Sequence, residues 1–552
     1  MMPWWVLAVF VLGANVALWG AVGLVRLAES VAGRRRSSRM GGTGLAGTSL
    51  PSAGLPMTGP ASTGLAARGL AGAGQAGTGD GETLMAITAD EARPGPPGRA
   101  GPARSLATRS RPERSLTARS LTEPSPTARS LTTADVAVLI PAHNEALVLE
   151  ESLRSIMALV PRDNVHVVSD GSIDATVEIA RRAGARVIST RENMGKAGAL
   201  EEAIGRFDLI RRFPVVMLLD ADTRVEPGYF TAALPMFEHP EVVAVAGCVR
   251  TAPTRGMRFG GQVLVGHRTR IYAVGQRALK FGQTWLRSNA TPIVPGFASL
   301  YRTDVLPRMD MNPPGLVIED FNMTFEVYQK SLGKVGFTLR AVAVTQDPDN
   351  LHDYVWQTRR WAVGLWQTVR RHPPRANLFT AMLTLLLLEL ISSSLLFFLL
   401  PLALIVLAVP ELAGGALTWP GFSEVHTVVA AHLTVTAVLF GVVLPDYLLT
   451  CAVAILERQP RLLLLGVFFP FMRMLDAGIG LYAIPAAWLS RSSGRWKSPA
   501  RRAVGPADGT ADPAAAPVPD PEAALPGPDP ALVMTNTLNS PAHVAEASHV
   551  SG

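Results

Sequence analysis

Cysteine and charged residues are both scarce in this chain of 552 residues. Its two cysteines, Cys248 and Cys451, lie far apart in the sequence, and Cys451 falls in an apolar run. This excludes a disulfide framework and a zinc site built on thiolates. Charged residues make up 17% of the sequence and hydrophobic residues 48%, whereas soluble domains average roughly a quarter charged. The balance is typical of a membrane protein.

Lysine is scarce as well, so arginine supplies nearly all of the positive charge behind the formal net charge of +7. The lysines are Lys196, Lys280, Lys330, Lys334 and Lys497. A positive charge suits contact with anionic lipid or with a phosphorylated substrate. No nucleic-acid-binding motif accompanies the charge, so nucleic acid is not an expected partner.

The chain begins with an apolar segment. Residues 4–25 carry no charge and are long enough to cross a bilayer. Arginines follow this segment and do not precede it, which is the pattern of an uncleaved anchor and differs from that of a secretory signal. We therefore expect residues 1–27 to form a transmembrane anchor with its N-terminus outside the cell.

A second apolar region, at 378–490, predicts transmembrane and interfacial helices. Residues 378–409 predict an interfacial start followed by a crossing from residue 391, and residues 425–455 predict a second crossing. A third crossing at 461–490 would place the basic residues that follow it outside the cell, and its ionisable side chains would be costly facing lipid, so this segment predicts a re-entrant or interfacial hairpin.

Two segments have too few bulky apolar residues to build a core. Residues 28–133 are rich in glycine, alanine and serine and carry an imperfect ARSL/RSLT repeat. Residues 491–552 are rich in proline and alanine. Both compositions predict disorder, the first as a tether and the second as a tail.

Residues 134–372 alternate short apolar runs with amphipathic stretches. Apolar runs at 136–140, 165–168 and 187–189 predict strands, and polar residues gather where strands end. The alternation predicts an α/β domain with a parallel or mostly parallel, doubly wound sheet. Ligands bind such sheets at the carboxyl ends of the strands.

The apolar run at 215–219 leads directly into Asp220, Ala221 and Asp222. The two carboxylates alternate onto one face of the chain after an apparently buried strand. Hard oxygen ligands of this kind suit Mg²⁺ or Mn²⁺ holding a diphosphate. A pair of solvated aspartates opening a loop is the alternative.

A second acidic pair, Glu319 and Asp320, precedes a predicted helix. A carboxylate across a pocket from a metal ion can act as a general base that takes a proton from a hydroxyl group. The alternative is an acidic helix start favoured by the helix dipole.

Two further motifs bring polar or aromatic side chains together. The loop at 193–198 opens a helix, so its amides and Lys196 would face phosphate. Gln357, Arg360 and Trp361 are spaced i, i+3 and i+4 and would share one face of a helix.

Together these motifs resemble those of membrane-integrated, inverting glycosyltransferases of family 2. The resemblance is closest to the synthases of poly-N-acetylglucosamine, hyaluronan and chitooligosaccharides, and it covers residues 136–371. It rests on motifs that occur in the order of that family: VLIPAHNE, SDGSIDAT, NMGKAGAL, DAD at 220–222, VPGFASLYR, IED at 318–320 and QTRRW at 357–361. The fold it implies is a GT-A-like, Rossmann-type domain that binds a nucleotide sugar, joined to α-helical transmembrane segments.

The resemblance also implies a role for each site residue. Asp320 would be the catalytic base with Glu319 beside it, and Asp222 and Asp220 would hold Mg²⁺ or Mn²⁺. Asp170 would bind the uracil ring, with a buried structural role as the alternative. The residues expected to bind the donor are Ala142, Asn144, Glu145, Asp170, Lys196, Asp220, Gln357, Arg360 and Trp361. Those expected to bind the acceptor are Gly296, Phe297 and Trp361.

We therefore expect a metal-dependent, inverting hexosyltransferase that is a multi-pass protein of the bacterial plasma membrane, with its catalytic domain in the cytoplasm. The expected donor is UDP-N-acetylglucosamine, and the expected product is a polysaccharide elongated at the membrane and exported through the protein's own helices. The growing glycan or a lipid acceptor, membrane lipid, and accessory membrane or export subunits are the expected partners.

Two alternatives remain open. One is a transferase that adds a single sugar to a membrane lipid. The other is a non-catalytic scaffold or polysaccharide-translocating subunit, against which the intact acidic positions argue.

Overall fold

The structure is a computed structural model, and it describes residues 3–41, 130–253, 256–490 and 502. Most of the linker predicted at 28–133, and the predicted tail apart from residue 502, lie outside these described residues.

One mixed sheet forms the centre of the described α/β region. Its strands are β1 Val136–Ala142, β2 Val165–Ser169, β3 Arg186–Ser189, β4 Val215–Leu219, β5 Arg224–Val225, β6 Val242–Thr251, β7 Ala298–Arg302 and β8 Lys334–Thr345. They lie in the order β3-β2-β1-β4-β7-β6-β8-β5. The first four strands in this order are parallel. In contrast, β7 runs antiparallel to both of its neighbours, β4 and β6.

The prediction of a mostly parallel sheet is confirmed, because β6 also pairs in parallel with β8 and six of the eight described strands run in one direction, while β7 and β5 run in the opposite one. The apolar pattern of β7 predicts a buried strand but does not encode its direction. The reversal matters for the site, because β7 begins where β4 ends and pairs Ala298 with Leu219. The segment before β7 is thereby brought to the carboxyl end of β4.

The sheet is buried on both faces, as the unbroken apolar runs of its central strands require. Alternate residues of β1 enter different cores. Val138 and Ile140 pack in one hydrophobic cluster, and Ala137 and Leu139 pack in the other.

The helices of the described residues are α1 Trp4–Leu12, α2 Ala14–Gly41, α3 Leu149–Met157, α4 Thr176–Ala183, α5 Gly195–Arg206, α6 Leu209–Arg212, α7 Tyr229–Ala233, α8 Phe259–Val274, α9 Phe281–Gln283, α10 Glu319–Gln329, α11 Leu351–Arg371, α12 Leu378–Leu412, α13 Phe422–His432, α14 Val435–Val438, α15 Leu444–Leu456, α16 Arg461–Leu465 and α17 Phe469–Leu489. Two π-helical turns join α8 to α9 (Gly275–Lys280) and α14 to α15 (Leu439–Val443).

Three helical segments of the described chain are long and apolar enough to cross a membrane. They are Leu378–Leu412, Val435–Leu456 and Arg461–Leu489. The hairpin predicted at 461–490 is wrong, because this segment is helical from end to end. Its α17 packs along α11 in the same direction, with Asp476 bonded to Tyr354 and Tyr482 bonded to Arg359.

The ionisable residues of this helical region are paired with one another. Asp446, on α15, is 1% exposed and accepts a hydrogen bond of 2.8 Å from Arg270 and another of 2.8 Å from Arg473. Arg473 also donates to the carbonyl of Val11 at 3.0 Å. This cluster, Arg270–Asp446–Arg473, therefore connects α8, α15, α17 and α1.

The N-terminal apolar segment differs from the single continuous anchor predicted for residues 1–27. It breaks at Gly13, whose φ of +90° few other residues adopt, and α1 meets the following helix at 65°. The break is capped by Glu389 of α12, whose Oε2 accepts hydrogen bonds from the backbone and side-chain amides of Asn15 at 2.7 and 2.9 Å. In addition, α2 continues to Gly41, so the predicted linker begins later than residue 28.

Candidate active site

A cavity of about 690 Å³ lies at the carboxyl ends of β1 and β4. It extends to Leu386 of α12, on one of the helices that could cross a membrane. The predicted site residues that line it are Glu145, Lys196, Asp220, Asp222, Gly296, Phe297, Glu319, Asp320, Gln357, Arg360 and Trp361. Motifs that lie far apart in the sequence thus meet around one space.

Lys196 is the centre of an ion cluster in this cavity. Its ammonium nitrogen lies 2.7 Å from Asp220 Oδ1 and 2.9 Å from Glu319 Oε1. The residue next to Glu319 is Asp320, whose Oδ2 accepts a hydrogen bond from the backbone amide of Gly296 at 3.2 Å. One lysine therefore ties the acidic end of β4 to the acidic start of α10.

Burial and neighbouring charges shift the pKa values of this cluster. Burial alone would lower the pKa of Lys196, but Asp220 and Glu319 outweigh it and raise that pKa. Burial alone would raise the pKa of Glu319, but the contact with Lys196 lowers it. For Asp220 burial prevails, and its pKa is raised. Burial and the charge of Glu319 raise the pKa of Asp320 to about 6, so this carboxylate exchanges its proton near neutral pH.

Gly296 lies where any side chain would meet the cluster. A Cβ at this position would be 2.9 Å from Lys196 Nζ and 3.1 Å from Glu319 Oε1. The next residue, Phe297, accepts a hydrogen bond of 2.9 Å from the backbone amide of Asp220. The predicted acceptor loop and the Asp220–Asp222 turn are therefore in direct contact.

The carboxylates of Asp220 and Asp222 suit a divalent cation that completes its coordination elsewhere. Among the described residues, no group of three or more His, Cys, Asp or Glu side chains is arranged to hold a metal ion. Mg²⁺ is commonly held by one or two carboxylates together with substrate phosphates and water. The donor set therefore fits a cation shared with a diphosphate, and it does not fit a cation held by protein alone.

Gln357, Arg360 and Trp361 lie on α11 and face the cavity, as their spacing predicts. Arg268 of α8 packs against this face, with its guanidinium carbon 4.5 Å from the Trp361 ring centroid and 4.4 Å from that of Tyr354. The same guanidinium donates to Gln357 Oε1 at 3.4 Å. Arg268 is 3% exposed, so it fixes the orientation of both side chains from within the protein.

Asp170 does not line the cavity, and its contact with the uracil ring stays a prediction. It is fully buried, and its carboxylate accepts hydrogen bonds of 2.8 Å from the backbone amides of Met194 and Gly195. The hydroxyl of Thr190 donates to it as well, at 3.0 Å. Asp170 therefore holds the loop that carries Lys196.

The structure also separates the residues predicted at the end of β1. Ala142 is fully buried within the strand and does not line the cavity. Asn144 has a positive φ of 54°, and its side chain accepts a hydrogen bond from the backbone amide of Ile173 at 2.9 Å. Of this group, only Glu145 reaches the cavity wall.

Several cavity residues were missed by the sequence motifs. Tyr272 and Asp347 line the wall together, and the tyrosine hydroxyl donates to Asp347 Oδ1 at 2.8 Å. Lys280 and Gln283 line it near the end of the π-helical turn. One feature of the sequence indicates this part of the cavity wall, namely that Arg268 and Arg270 interrupt the apolar stretch at 259–274 that also contains Tyr272.

Comparison with known proteins finds matches for the α/β region of this chain. Residues 134–364 match the sequence profile described as "Glycosyltransferase like family 2". The chain is 27% identical over 247 residues to "Uncharacterized glycosyltransferase YaiP" of Escherichia coli, a match that covers 43% of this chain and 58% of that protein. It is 26% identical over 245 residues to "Probable glycosyltransferase YdaM" of Bacillus subtilis, covering 42% of this chain and 54% of that protein. The chain thus spans little more than half the length of these relatives.

Solved structures are more distant. The mannosyltransferase PcManGT of Pyrobaculum calidifontis, in complex with GDP-Man and Mn²⁺, is 23% identical, with a TM-score of 0.41 over 62% of this chain and 92% of that chain. Glucosyl-3-phosphoglycerate synthase of Mycobacterium tuberculosis, in complex with Mn²⁺, UDP and glucosyl-3-phosphoglycerate, is 18% identical, with a TM-score of 0.29 over 43% of this chain and 80% of that chain. Both scores are too low for the ligands of those proteins to be transferred to this chain.

The expected GT-A-like α/β fold is confirmed, with a mixed sheet and with helices apolar enough to span a membrane. The match to the family 2 profile spans residues 134–364, which is less than half of this chain.

Proposed function

We propose that this chain transfers a hexose from a UDP-sugar to an acceptor hydroxyl at a membrane, with inversion at the anomeric carbon. The observation that carries the proposal is the joining of two acidic sites by Lys196. The lysine contacts Asp220 on the side proposed for the diphosphate and Glu319 on the side of the proposed base. A donor and an acceptor bound in one cavity would thus meet between Asp222 and Asp320.

In the proposed reaction, Asp320 takes the proton of the acceptor hydroxyl while the hydroxyl oxygen attacks the anomeric carbon. The bond between that carbon and the diphosphate oxygen breaks, and UDP leaves with the electron pair. Lys196 offsets part of the charge on the departing diphosphate, which is the main electrostatic demand of the step. Gln357 and Arg360 donate hydrogen bonds to the same group from α11.

A divalent cation suits this site, with Asp222 and Asp220 as its protein ligands. When bound, Mg²⁺ or Mn²⁺ would neutralise charge on the diphosphate. The carboxylate of Asp220 would then bind the cation and lose part of its contact with the ammonium of Lys196.

The finer proposal is that the sugar is N-acetylglucosamine and that the product is a polysaccharide elongated at its non-reducing end. The aromatic surface of Trp361, held by Arg268, would stack on the terminal sugar of the growing chain. Leu386 of α12 lines the same cavity, which places the acceptor side next to a helix that could cross the membrane. Export through these helices, with or without accessory subunits, belongs to this proposal.

We place the catalytic domain in the cytoplasm, where UDP-sugars are made. Arg26, the first arginine after the N-terminal apolar segment, supports this orientation under the positive-inside rule. It donates a hydrogen bond of 3.1 Å to Thr284 and one of 3.2 Å to the carbonyl of Phe337. Arg26 of α2 therefore contacts the α/β domain. A bacterial plasma membrane would provide this arrangement.

The second candidate function is addition of one sugar to a membrane lipid, which the apolar lining near Leu386 also suits. A non-catalytic scaffold is less well supported, because Asp222, Glu319 and Asp320 all line the cavity.

The test is to incubate the purified full chain in lipid with radiolabelled UDP-sugars and Mg²⁺ or Mn²⁺ and to size the products. We expect polymer from UDP-N-acetylglucosamine. Trp361→Ala should shorten or abolish that polymer while weakening UDP binding less, since it removes stacking worth about 1 kcal/mol. A single-sugar lipid adduct from the wild type would favour the second candidate, and absence of transfer from every donor would refute the proposal.

Gly296→Ala should lower kcat/KM by roughly 10²-fold, the cost of displacing reacting groups by about 1 Å. The added methyl would displace Lys196 and Glu319 from each other. Gly228→Ala is the matched control, because a Cβ there meets nothing within 4 Å and φ is −83°. Equal activity of the two variants in a transfer assay would contradict the role given to the ion cluster.

A further inference from the structure

Two polar side chains in the cavity wall take no part in the reaction described above. Lys280 ends the π-helical turn and Gln283 ends α9, and they are 8% and 4% exposed. Within the described part of the chain, neither the ammonium of Lys280 nor the side-chain amide of Gln283 has a hydrogen bond or an ion pair, although the ammonium lies 5.9 Å from the ring centroid of Phe337. Burial of a charge is costly unless a partner offsets it. A buried pair of this kind without a hydrogen-bonding partner indicates a ligand.

The position of the pair places that ligand on the acceptor side. The carbonyl of Gln283 accepts a hydrogen bond of 2.8 Å from the backbone amide of Ala290, at the start of the loop that leads to Gly296 and Phe297. The ammonium of Lys280 interacts electrostatically with Asp320, the proposed base. The side proposed for the diphosphate already has its own cation, Lys196.

The charge of Lys280 sets the chemistry of the ligand. Burial lowers the pKa of Lys280 to about 8, although Asp320 opposes this. The side chain therefore remains mostly a cation at neutral pH, and an anion is its complement. The amide of Gln283 would donate a second hydrogen bond to the same group.

We propose that Lys280 and Gln283 bind an anionic oxygen group of the acceptor, a phosphate or a carboxylate, next to the hydroxyl that Asp320 deprotonates. This inference rests on the proposed transferase function and narrows its acceptor class. It adds no covalent step. The phosphate could belong to a membrane lipid and the carboxylate to an acidic sugar, and the experiment separates these two sources.

The experiment measures equilibrium binding and transfer for the full chain in lipid nanodiscs with three acceptors. The first is a polyprenyl phosphate, the second an oligosaccharide ending in a hexuronate, and the third a neutral oligosaccharide of the same length. At least one anionic acceptor should bind more tightly than the neutral one. Lys280→Met should weaken that binding by about 10- to 100-fold, the range for losing a hydrogen bond to a charged group, with donor KM changed less than about twofold.

Two further variants serve as controls. Gln283→Leu should weaken binding of the same acceptor by a smaller factor. Arg340→Met removes a positive charge from an exposed position of β8 and should leave acceptor binding unchanged. Because Lys280→Met removes a buried unpaired charge, its thermal midpoint should not fall, which separates loss of binding from loss of folding.

Four outcomes of this experiment are decisive. Equal weakening for neutral and anionic acceptors, or an increase in donor KM in place of the acceptor effect, would overturn the inference. Tight and selective use of the neutral acceptor would overturn it as well and leave the transferase function standing. Selective, Lys280-dependent binding of an anionic acceptor without transfer from any donor would support the inference and refute the proposed function.

Discussion

Asp320→Asn should lower transfer by roughly 10² to 10⁴-fold, the usual contribution of a general base, while UDP-sugar binding is retained. The amide preserves size and shape but cannot take the proton of the acceptor hydroxyl. Asp222→Asn should behave differently, because a neutral amide is a poor ligand for a hard cation. In that variant, binding and turnover should fall together. Calorimetric titration of UDP with and without Mn²⁺, alongside a transfer assay, makes the comparison.

The pH dependence of the wild type provides the control for this assignment. The pKa of Asp320 is raised to about 6, so its carboxylate is protonated and inactive as a base at lower pH. The rate should therefore rise with pH through about 6 and level off above it, and the residual rate of Asp320→Asn should lack this step. Turnover close to the wild-type rate in Asp320→Asn would show that Asp320 is not the base.

Asp446→Leu should destabilise the protein by about 3–5 kcal/mol, the cost of breaking a buried ion pair by removing one partner. The substitution leaves the guanidinium groups of Arg270 and Arg473 buried without their shared carboxylate. The thermal midpoint of the protein in detergent or nanodiscs should fall accordingly.

Replacing all members of the cluster tests the cause of this effect. Arg270→Met, Asp446→Leu and Arg473→Met together should recover most of the lost stability, since apolar replacement of a buried ionic cluster is often neutral. Glu150→Gln removes an exposed partner of Arg154 and should change stability by less than about 1 kcal/mol. Failure of the triple variant to recover would show that packing, and not the unpaired charges, determines the loss.

The sequence predicted best those features that depend on local pattern. The apolar run of β4 is followed by Asp220, which lies at the carboxyl end of this central strand and lines the cavity, as expected for a strand that leads into a ligand site. The spacing of Gln357, Arg360 and Trp361 was sufficient to place them on one helical face.

Features that depend on distant partners were not accessible in the same way. The hairpin at 461–490 was predicted because a third crossing would place the basic residues that follow it outside the cell, and because Arg473 and Asp476 would be costly facing lipid. The structure pairs Arg473 with Asp446 and Asp476 with His267, which answers the second reason. Arg268 was missed for a related reason, since its stacking on Trp361 joins two helices that no local pattern connects.

The contact that caps the N-terminal bend can form only late in the synthesis of the chain. The carboxylate of Glu389 that caps the start of α2 lies 374 residues after Asn15, beyond the whole α/β region. During translation, α1 and α2 are made before the α/β region but cannot make this contact until α12 has been synthesised and has reached them. These two helices therefore complete their arrangement only after the α/β region has left the ribosome.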